Sequence, residues 1–596
     1  MSRFTLLKRS IFASFFLCFT QFNLANTINQ DISEHDIAVF NALLHQKGTV
    51  NNVQHPQFSS LNQQEQIRKI LSTLSNTGST RDNYICNFPA RSFWLSQRFK
   101  LQQPLSFEHC ANLQQYLNSV RAESISLIYA SENLTSPSSF MGHSYLKVNG
   151  KQNAEHAVSY FTEVDSINIP KLMFDAIIIG KEGYFIVSPY AESEQYYSDI
   201  ESRNIYEYHL ALTEFEVKFI TLHLWELKDK QIDYFFHTHN CATLTLDILG
   251  IAKPQIIQSN STWLSPLDVI KIVNKNGLVQ QTTVKPSINW QLRAYGTGLS
   301  QPEKKQFLAA FNTGDWRAFS DIKNQPALHY FYASALNDYY LSVDNITDNE
   351  WTIKQKLIDA ALSPKQAVSL DVSQFKNPLR RSSDKQLAVQ LVTDSEEQYL
   401  LFNMLPASHL LSDDNRHAFS ESSLKLLSPE VMLSKEKLKL KQLDLYAISQ
   451  YIPYDSIVGG ISGYFSLGYS GFDTFNFSSE NRFFANAGLG LSYQTQSSFQ
   501  WYSTLGVESS IGHGNIWLTP SIDLGLFAYL KGNNKLRLYN KVTFNEFNND
   551  RFVIDINLDN TYFMSKEKAI TFGINYKKMA EFDAKLSMQL GLKIYL

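Results

Sequence analysis

The order of apolar and polar residues changes along the chain, from a helical period to strict alternation. The last run shows the alternation best, and its apolar positions are Leu586, Met588, Leu590, Leu592, Ile594 and Leu596. A period of two is typical of a β-strand with one apolar face. Similar runs recur from residue 386 onward, separated by polar turns that contain Gly or Asn. The pattern predicts an antiparallel β-barrel over residues 386–596.

The strands of this barrel can be counted from the sequence. Besides the last strand, clear runs cover 460–469, 484–493, 500–508, 517–529, 535–544, 552–562 and 569–576. Weaker runs at 387–392, 399–405 and 424–433, and one that begins at Leu438, bring the number to about twelve. In the run from Leu438 the phase slips at Gln442, which is what a β-bulge produces. We expect a barrel of about 8–12 strands.

Three units are predicted before the barrel, which makes the chain a multidomain protein of α+β and β class. Residues 26–115 have the spacing of a helical N-terminal domain. Residues 116–290 mix strands, expected at 124–130, 144–148 and 157–161, with a helix whose capping box begins at Thr213. Residues 291–385 are helical again and form a connector, with Ser300 and Glu303 as a start signal.

The N-terminus has the features of a secretory signal peptide. Arg3, Lys8 and Arg9 flank the start of an apolar stretch at 11–19, and Ala25 suits a cleavage site, so we expect residues 1–25 to be removed. The hydrophobic content of 44% excludes a disordered chain. Strands of about ten residues, together with the aromatic and apolar content, favour an outer-membrane barrel with a periplasm-facing domain. A net charge of −3 argues against a nucleic-acid partner.

Cysteine usage separates a structural pair from a reactive candidate. In an oxidising compartment the close pair Cys86 and Cys110 most simply forms a disulfide. Cys241 is then left alone, and a leftover thiol in an exported protein is either buried and inert or retained because it reacts.

The surroundings of Cys241 favour the reactive alternative. Asn240 is a preferred N-cap and Gly250 a preferred helix stop, so Cys241 is expected in the first turn of a short buried helix. There the aligned backbone dipoles stabilise a thiolate. His143, at the start of a predicted strand, is the candidate base. His156 is a candidate to orient the imidazole, and Glu155 is a rival for that role.

Four sequence blocks in this central region resemble those of a known family. They are residues 142–146 (Gly-His-Ser-Tyr-Leu), 201–210 (from Glu201 and Arg203 to Leu210), 224–227 (Leu-Trp-Glu-Leu) and 240–243 (Asn-Cys-Ala-Thr). The region resembles the N-terminal periplasmic domain of Lnb, a lipoprotein N-acyltransferase. Residues 86–91 (Cys-Asn-Phe-Pro-Ala-Arg) are similar to a segment that accompanies this domain. The order His before Cys also resembles a circularly permuted papain-like, NlpC-type fold.

The resemblance implies acyl transfer through a cysteine thioester. Cys241 matches the nucleophile, His143 the base and His156 the third polar residue, with Asn240 and Ser144 near the oxyanion. Glu201 and Arg203 are more simply read as an ion pair that fixes the fold. The expected partners are a phospholipid or lipoprotein substrate and the outer membrane. No cofactor motif is recognised, and His237 and His239 are read as loop residues rather than zinc ligands.

Two other function classes stay open at this point. One is a cysteine peptidase or amidase that acts on peptidoglycan, as NlpC-type relatives do. The other is a non-enzymatic outer-membrane scaffold with a degenerate papain-like module. An apolar tunnel at Cys241 would favour the acyltransferase, and an open polar cleft with a carboxylate-binding Arg would favour the peptidase.

Overall fold

A computed structural model describes most of the chain after residue 30. The described residues are 31–45, 61–132, 141–162, 171, 175, 179–228, 230, 232–257, 263–320, 327–363, 376–394, 397–407, 409–418, 420–435, 437–471, 481–496, 498–512, 515–545, 551–579 and 583–596. A mixed α/β region is followed by a closed antiparallel barrel, which confirms the predicted fold class. The predicted signal peptide lies outside the described residues.

An antiparallel seven-stranded sheet forms the centre of the region before the barrel. Its strands are β1 (Ala122–Ala130), β2 (His143–Gly150), β3 (Glu155–Thr162), β4 (Lys181–Pro189), β5 (Ile205–Leu210), β6 (Ile232–Tyr234) and β7 (Val279–Lys285). Their order across the sheet is β6-β4-β3-β2-β1-β5-β7. The three predicted strands fall within β1, β2 and β3 and are confirmed.

One end of this sheet carries the residues of interest and is called the site end here. Ala130, at the end of β1, pairs with His143 at the start of β2 and with Ile205 at the start of β5. Thr162, at the end of β3, pairs with Gly183 near the start of β4. Because neighbouring strands are antiparallel, these five strand termini meet at the same edge of the sheet.

One group of helices precedes the sheet in the chain, and a second group lies between its later strands. The first group comprises α1 (Glu34–Leu43), α2 (Gln63–Ser75), α3 (Ser79–Asn87), α4 (Pro89–Arg98) and α5 (Ala111–Val120), and the second α6 (Tyr190–Gln195), α7 (Glu214–Glu226), α8 (Cys241–Ala252) and α9 (Pro266–Lys275). α8 packs on β2 and β3, and α7 packs on β1. The predicted cap of α7 is confirmed, because the Thr213 side chain accepts from the Glu216 amide.

A single hydrophobic core joins the N-terminal helices to the sheet. It includes Phe40 and Ile85 from the helices, Leu127 and Leu146 from the sheet, and Leu244 from α8. The predicted disulfide between Cys86 and Cys110 is confirmed, with the two Cα atoms 5.4 Å apart. The N-terminal helices are therefore part of the body that carries Cys241, and apolar burial holds the two together.

The connector is helical, as predicted. It comprises α10 (Ile288–Gly296), α11 (Gln301–Thr313), α12 (Arg317–Ser320), α13 (Ala327–Ser342) and α14 (Asp348–Leu362). The capping box of Ser300 and Glu303 starts α11. A second core, which includes Phe307 and Phe311, packs against Ile457 and Val458 of a barrel loop. The connector is thus anchored to the end of the barrel at which the chain enters, called the connector end here.

The barrel closes with twelve strands. They are β8 (Gln386–Thr393), β9 (Gln398–Leu405), β10 (Glu421–Leu433), β11 (Leu438–Tyr451), β12 (Ser462–Ser470), β13 (Arg482–Gln496), β14 (Phe499–Gly512), β15 (Asn515–Leu530), β16 (Asn534–Asn545), β17 (Arg551–Phe563), β18 (Lys568–Met579) and β19 (Lys585–Tyr595). Closure occurs because β19 pairs with β8. Glu430 pairs with Gln442 and Val431 with Leu440, so Lys441 is the extra residue of the predicted bulge.

The two sides of the barrel wall differ in polarity. Outward positions carry exposed apolar side chains, such as Leu489 at 69% and Leu505 at 66% exposure. Inward positions carry charged pairs, including Lys535 with Glu421 at 2.5 Å and Lys577 with Asp555 at 3.3 Å. An apolar outside around a polar lumen is the pattern of a barrel that meets a bilayer.

Segment 409–418, between β9 and β10, lies inside the connector end of the lumen. The Asp413 carboxylate accepts from Lys593 Nζ at 2.6 Å and from the Tyr595 hydroxyl at 3.0 Å. The Asn415 amide donates to the Tyr529 hydroxyl at 3.0 Å. These contacts fix the segment to the inner wall, and a cavity of about 630 Å³ lies in the lumen beside it.

The site end of the sheet packs on the outside of the barrel. Trp263 is buried with Leu424 and Tyr446 of the wall, and Met141 and Phe236 pack in the same cluster. On the polar side, Arg381 pairs with Glu132 at 2.6 Å.

The barrel residues in this contact face outward by register. Leu424 pairs with Ile448, and Ile448 pairs with Phe465 on the next strand. Two residues from Phe465, Gly463 pairs with the exposed Leu489. Since strand side chains alternate, this row lies on the outer face. No helix among the described residues is long and apolar enough to cross a bilayer.

Candidate functional site

Cys241 is the first residue of α8, and a complete capping box precedes it. Asn240 Oδ1 accepts from the Thr243 amide at 3.0 Å, and the Asn240 amide donates to Thr243 Oγ1 at 2.8 Å. Asn240 Nδ2 also donates to the carbonyls of Phe236 and Leu264, at 3.0 and 2.9 Å. The predicted N-cap is confirmed, and it holds the loop before Cys241 against the segment that leads into α9.

The predicted helix stop at Gly250 is wrong. α8 continues to Ala252, and Gly250 is buried inside it. A Cβ atom at this position would come within 2.3 Å of the Ile257 side chain. Glycine is therefore required here for close packing, and the local preference of glycine for helix ends does not decide the boundary.

The Cys241 thiol is buried against the start of β2. Burial raises the pKa of the thiol, whereas main-chain groups of Ser144 and Ala242 and the Ser144 side chain act in the opposite direction. Thr245 Oγ1 donates to the Ser144 carbonyl at 3.2 Å and ties the first turns of α8 to this strand. The first amides of a helix have no partner within the helix. The Cys241 sulfur thus lies where a helix start and a strand start supply polar main-chain groups.

Three tyrosines from different elements surround the thiol. Tyr160 lies on β3, Tyr234 on β6, and Tyr197 in the helical turn Tyr196–Ile200. Burial raises the pKa of each phenol, and the negative charge of a Cys241 thiolate would raise it further. Sequence patterns did not indicate these residues, because the three positions are far apart in the chain and have no common spacing.

His143 is the first residue of β2 and belongs to an aromatic stack. Its ring lies 5.7 Å from Tyr145 and 5.7 Å from Tyr197, centroid to centroid. Burial, and secondarily the Arg203 charge, lower the pKa of His143 to about 3, so the imidazole is neutral at physiological pH. Among the described residues, His143 Nε2 has no hydrogen-bond partner.

His143 and Cys241 approach the start of β2 from its two faces. His143 shares a face with Tyr145, while Ser144 points to the face on which α8 packs. Tyr197 links the two, because its ring stacks on His143 and its phenol responds to a charge on Cys241. Ser144 and Tyr197 therefore connect the surroundings of Cys241 with those of His143, which lie on opposite faces of β2.

Glu201 and Arg203 form a buried ion pair behind this stack. Arg203 Nη2 lies 2.7 Å from Glu201 Oε2, and the guanidinium lies over the Tyr197 ring at 5.3 Å. The Arg203 amide donates to the Tyr197 carbonyl at 2.8 Å. The pair therefore holds the turn that carries Tyr197 against His143.

His156 lies at the other end of its strand. It pairs with Val148, near the end of β2, rather than with the start of that strand. His156 precedes Tyr160 by four positions on β3. With a rise of about 3.3 Å per residue, the two Cα atoms are about 13 Å apart. Tyr160 is thus the β3 side chain beside the thiol, and Glu155 pairs with Lys147 at 2.9 Å.

The histidines of the loop before α8 are packed against aromatic rings. The ring of His237 lies 5.8 Å from that of Trp263, and the ring of His239 lies 5.8 Å from that of Phe235. Where the structure describes the chain, one group has metal-ligand spacing, namely Cys86, Cys110 and His109. Its two sulfur atoms are joined in the disulfide, so they are not thiolate ligands.

Comparison with family models agrees with the resemblance seen in the sequence blocks. Residues 112–276 match the Lnb N-terminal periplasmic domain, a range that includes His143 and Cys241. Residues 376–595 match a domain of unknown function, DUF7840. The predicted membership of the central region in the Lnb domain family is therefore confirmed. Among curated proteins, no relative matches the chain.

Solved structures similar to part of the chain include two porins and an outer-membrane protein. The KdgM porin has 10% identity and a TM-score of 0.24, covering 35% of this chain and 99% of its own. The NanC porin has 10% identity and a TM-score of 0.25, covering 35% and 100%. A loop-deletion mutant of OmpT from Vibrio cholerae has 8% identity and a TM-score of 0.22, covering 36% and 97%.

Proposed function

We propose that this chain, an Lnb N-terminal periplasmic domain joined to a twelve-stranded barrel, is a cell-envelope thiol enzyme that transfers acyl chains through a Cys241 thioester. The observation that carries the proposal is the position of the sulfur at a helix start, against polar main-chain groups of Ser144 and within a wall of buried tyrosines. A carbonyl bound there meets a nucleophile and oxyanion donors together.

The proposed reaction has two half-steps. His143 accepts the proton of Cys241, and the sulfur attacks the carbonyl carbon of an ester or amide. The C–S bond forms, the C–O or C–N bond breaks, and His143 returns the proton to the leaving group. An amine, alcohol or water then attacks the thioester carbonyl carbon, the C–S bond breaks, and the proton of the nucleophile passes through His143 to the Cys241 sulfur. The amides of Cys241 and Ala242 at the helix start hold the oxyanion, while Asn240 keeps that turn in place.

The resting site is uncharged. Burial favours the neutral forms of both the thiol and the imidazole. A thiolate and an imidazolium stabilise each other when they form together, so we infer that proton transfer is coupled to the arrival of the substrate carbonyl. Tyr197, which stacks on His143, is better placed than the distant His156 to orient the imidazole.

We also propose that the barrel spans the outer membrane and that the Lnb domain faces the periplasm. The exposed apolar outer wall of the barrel and the family of residues 112–276 support this location. In this arrangement the site lies beside the membrane, which favours a phospholipid or lipoprotein substrate over peptidoglycan.

Intact-mass spectrometry tests the chemistry. The full chain is incubated with phospholipid vesicles as the wild type, as Cys241→Ser, as His143→Gln and, as a matched control, as His156→Gln. We expect a mass increase of one fatty-acyl group in the wild type and in His156→Gln. Cys241→Ser should gain none, and His143→Gln should gain it much more slowly. Neutral hydroxylamine should remove the adduct, because it cleaves thioesters.

The same experiment separates the alternatives. No adduct in any variant, together with rapid alkylation of Cys241 at neutral pH, favours the cysteine peptidase or amidase. A thiol that neither acylates nor alkylates in the folded protein favours the non-enzymatic scaffold. A specific observation supports that scaffold as the second candidate, because segment 409–418 occupies the connector end of the lumen and the Lnb domain is anchored to the barrel wall.

A further inference from the structure

A band of exposed apolar side chains lies on the Lnb domain next to the His143 stack. We call it the apolar lip, and it consists of Phe161, Ile179, Tyr184, Ile186, Tyr196 and Ile200. Ile200 is 71% exposed and Ile179 is 62% exposed. Side chains of this kind on one contiguous surface mark a site of interaction with a partner or a membrane.

The lip belongs to the sheet face that carries His143. Phe161 pairs with Tyr184, and their rings lie 6.1 Å apart. The ring of Tyr196 contacts that of Tyr197 at 5.2 Å, and Tyr197 stacks on His143. The lip is therefore continuous with the wall of the candidate site.

The contact between the site end and the outer wall of the barrel sets the position of the lip along the barrel axis. Phe161 and Tyr184 lie near the site end of β3 and β4, which is the end that contacts the barrel. Met141, just before His143, and Phe236, just before α8, pack on the outer wall with Trp263. The lip thus lies next to the band of wall that these residues cover.

That band of wall is at the level of the bilayer. Trp263 covers Leu424, the fourth residue of β10 from the connector end. In the row of paired strand residues that begins at Leu424, Val507 of β14 is 43% exposed, and Leu489 of β13, two residues from that row, is 69% exposed. Exposed apolar wall residues at this height require a hydrocarbon or interfacial environment. Neighbouring surfaces of the docked domain share that environment.

We propose that the apolar lip inserts into the periplasmic leaflet of the bilayer around the barrel and delivers lipid acyl chains to the site beside His143. Aromatic and aliphatic side chains at the headgroup level are typical of such monotopic contacts. The insertion rests on the proposed membrane location of the barrel, whereas the delivery rests also on the proposed acyl chemistry. The occupant of the lip is lipid rather than a protein, because the lip continues the apolar surface of the barrel wall.

Fluorescence quenching by lipid tests the insertion. The full chain with Cys241→Ser receives Ile200→Cys or Tyr184→Cys, is labelled with bimane, and is reconstituted into vesicles of phosphatidylethanolamine and phosphatidylglycerol with brominated or ordinary acyl chains. Leu590→Cys, at an outward position of β19 with 57% exposure, reports on barrel insertion. Phe215→Cys is the matched control, because Phe215 is 39% exposed but lies at the start of α7, away from the site end.

We expect brominated lipid to quench positions 184 and 200 as it quenches position 590, and to leave position 215 unchanged. Quenching at 590 without quenching at 184 and 200 overturns the lip and leaves the proposed membrane location standing. No quenching at 590 overturns the lip together with that location. Equal quenching at 215 overturns the lip as a specific surface. The acyl adduct on Cys241 is measured separately, so failure of the chemistry is distinguishable from failure of insertion.

Discussion

A buried ion pair joins the accompanying segment 86–91 to the family block 224–227, and its removal is the most informative perturbation of the fold. Arg91 Nε lies 3.1 Å from Glu226 Oε2, with side chains 1% and 0% exposed. The Arg91 amide donates to Glu226 Oε1 at 3.0 Å, and His223 Nδ1 lies 3.6 Å from Oε2. Trp225 Nε1 also donates to the Cys86 carbonyl at 3.0 Å, so a second pair of residues joins the same two segments.

The expected cost of Glu226→Gln follows from this burial. Removing one partner of a buried pair leaves an uncompensated charge and costs about 3–5 kcal/mol. The loss is concentrated where α4 meets α7, because the pair is the polar contact between these two helices. At about 1.4 kcal/mol per factor of ten, the low end of that range corresponds to roughly a hundredfold change in the opening equilibrium.

Hydrogen exchange followed by mass spectrometry measures this change in the full chain. We expect amides of α4 and α7 to exchange roughly a hundredfold faster in Glu226→Gln than in the wild type, with barrel amides unchanged. Asp315→Asn is the matched control. It removes a carboxylate from an ion pair of 2.6 Å whose Arg317 side chain is 89% exposed, and solvent screens that pair, so we expect no measurable change.

A second variant decides whether uncompensated charge is the cause. Replacing both partners with apolar residues, as Arg91→Leu with Glu226→Leu, removes the unpaired charge and should recover most of the protection. Exchange in Glu226→Gln at the wild-type rate would refute the reasoning. Equal loss in the double variant would show that packing, rather than charge, holds the helices together.

Two further predictions concern the neighbourhood of Cys241. The pKa of His143 is about 3 in the fold, against about 6.5 when unfolded. Between about pH 3 and pH 6.5 the unfolded state therefore binds more protons than the folded state. The His143 contribution to stability is present above about pH 6.5 and is lost as the pH falls towards 3. The protection factors of β2 amides, which correct for the slower intrinsic exchange at low pH, should fall over that range in the wild type and less in His143→Gln, and an equal fall would contradict the assignment. Gly250→Ala should destabilise α8, because its Cβ would meet Ile257 at 2.3 Å. Alkylation of Cys241 should then become faster, and an unchanged rate would show that Ile257 moves without cost.

Local patterns in the sequence were sufficient for much of the architecture. Alternation predicted a barrel of about 8–12 strands and the phase slip at Gln442, because side-chain period and strand geometry are tied residue by residue. The cap at Asn240 and the disulfide between Cys86 and Cys110 also follow from short-range chemistry. The Lnb resemblance followed from four blocks, and the family match over 112–276 confirms it.

Local rules failed where packing competes with them. Gly250 has the preference of a helix terminator, yet α8 runs past it because the residue is needed against Ile257. His156 is a candidate to orient the His143 imidazole from the adjacent strand, but the pairing of β2 with β3 places it opposite Val148, at the other end of β2.

The sequence by itself determined many of the elements, the barrel and the position of Cys241 at a helix start, because each depends on neighbours within a few residues. Only the tertiary structure decided which groups surround that cysteine, that Arg91 reaches Glu226 across 135 positions, and that Trp263 covers the outer wall of the barrel. These contacts join residues far apart in the chain. They arise from the burial of apolar surface and the pairing of buried charge, which no local period encodes.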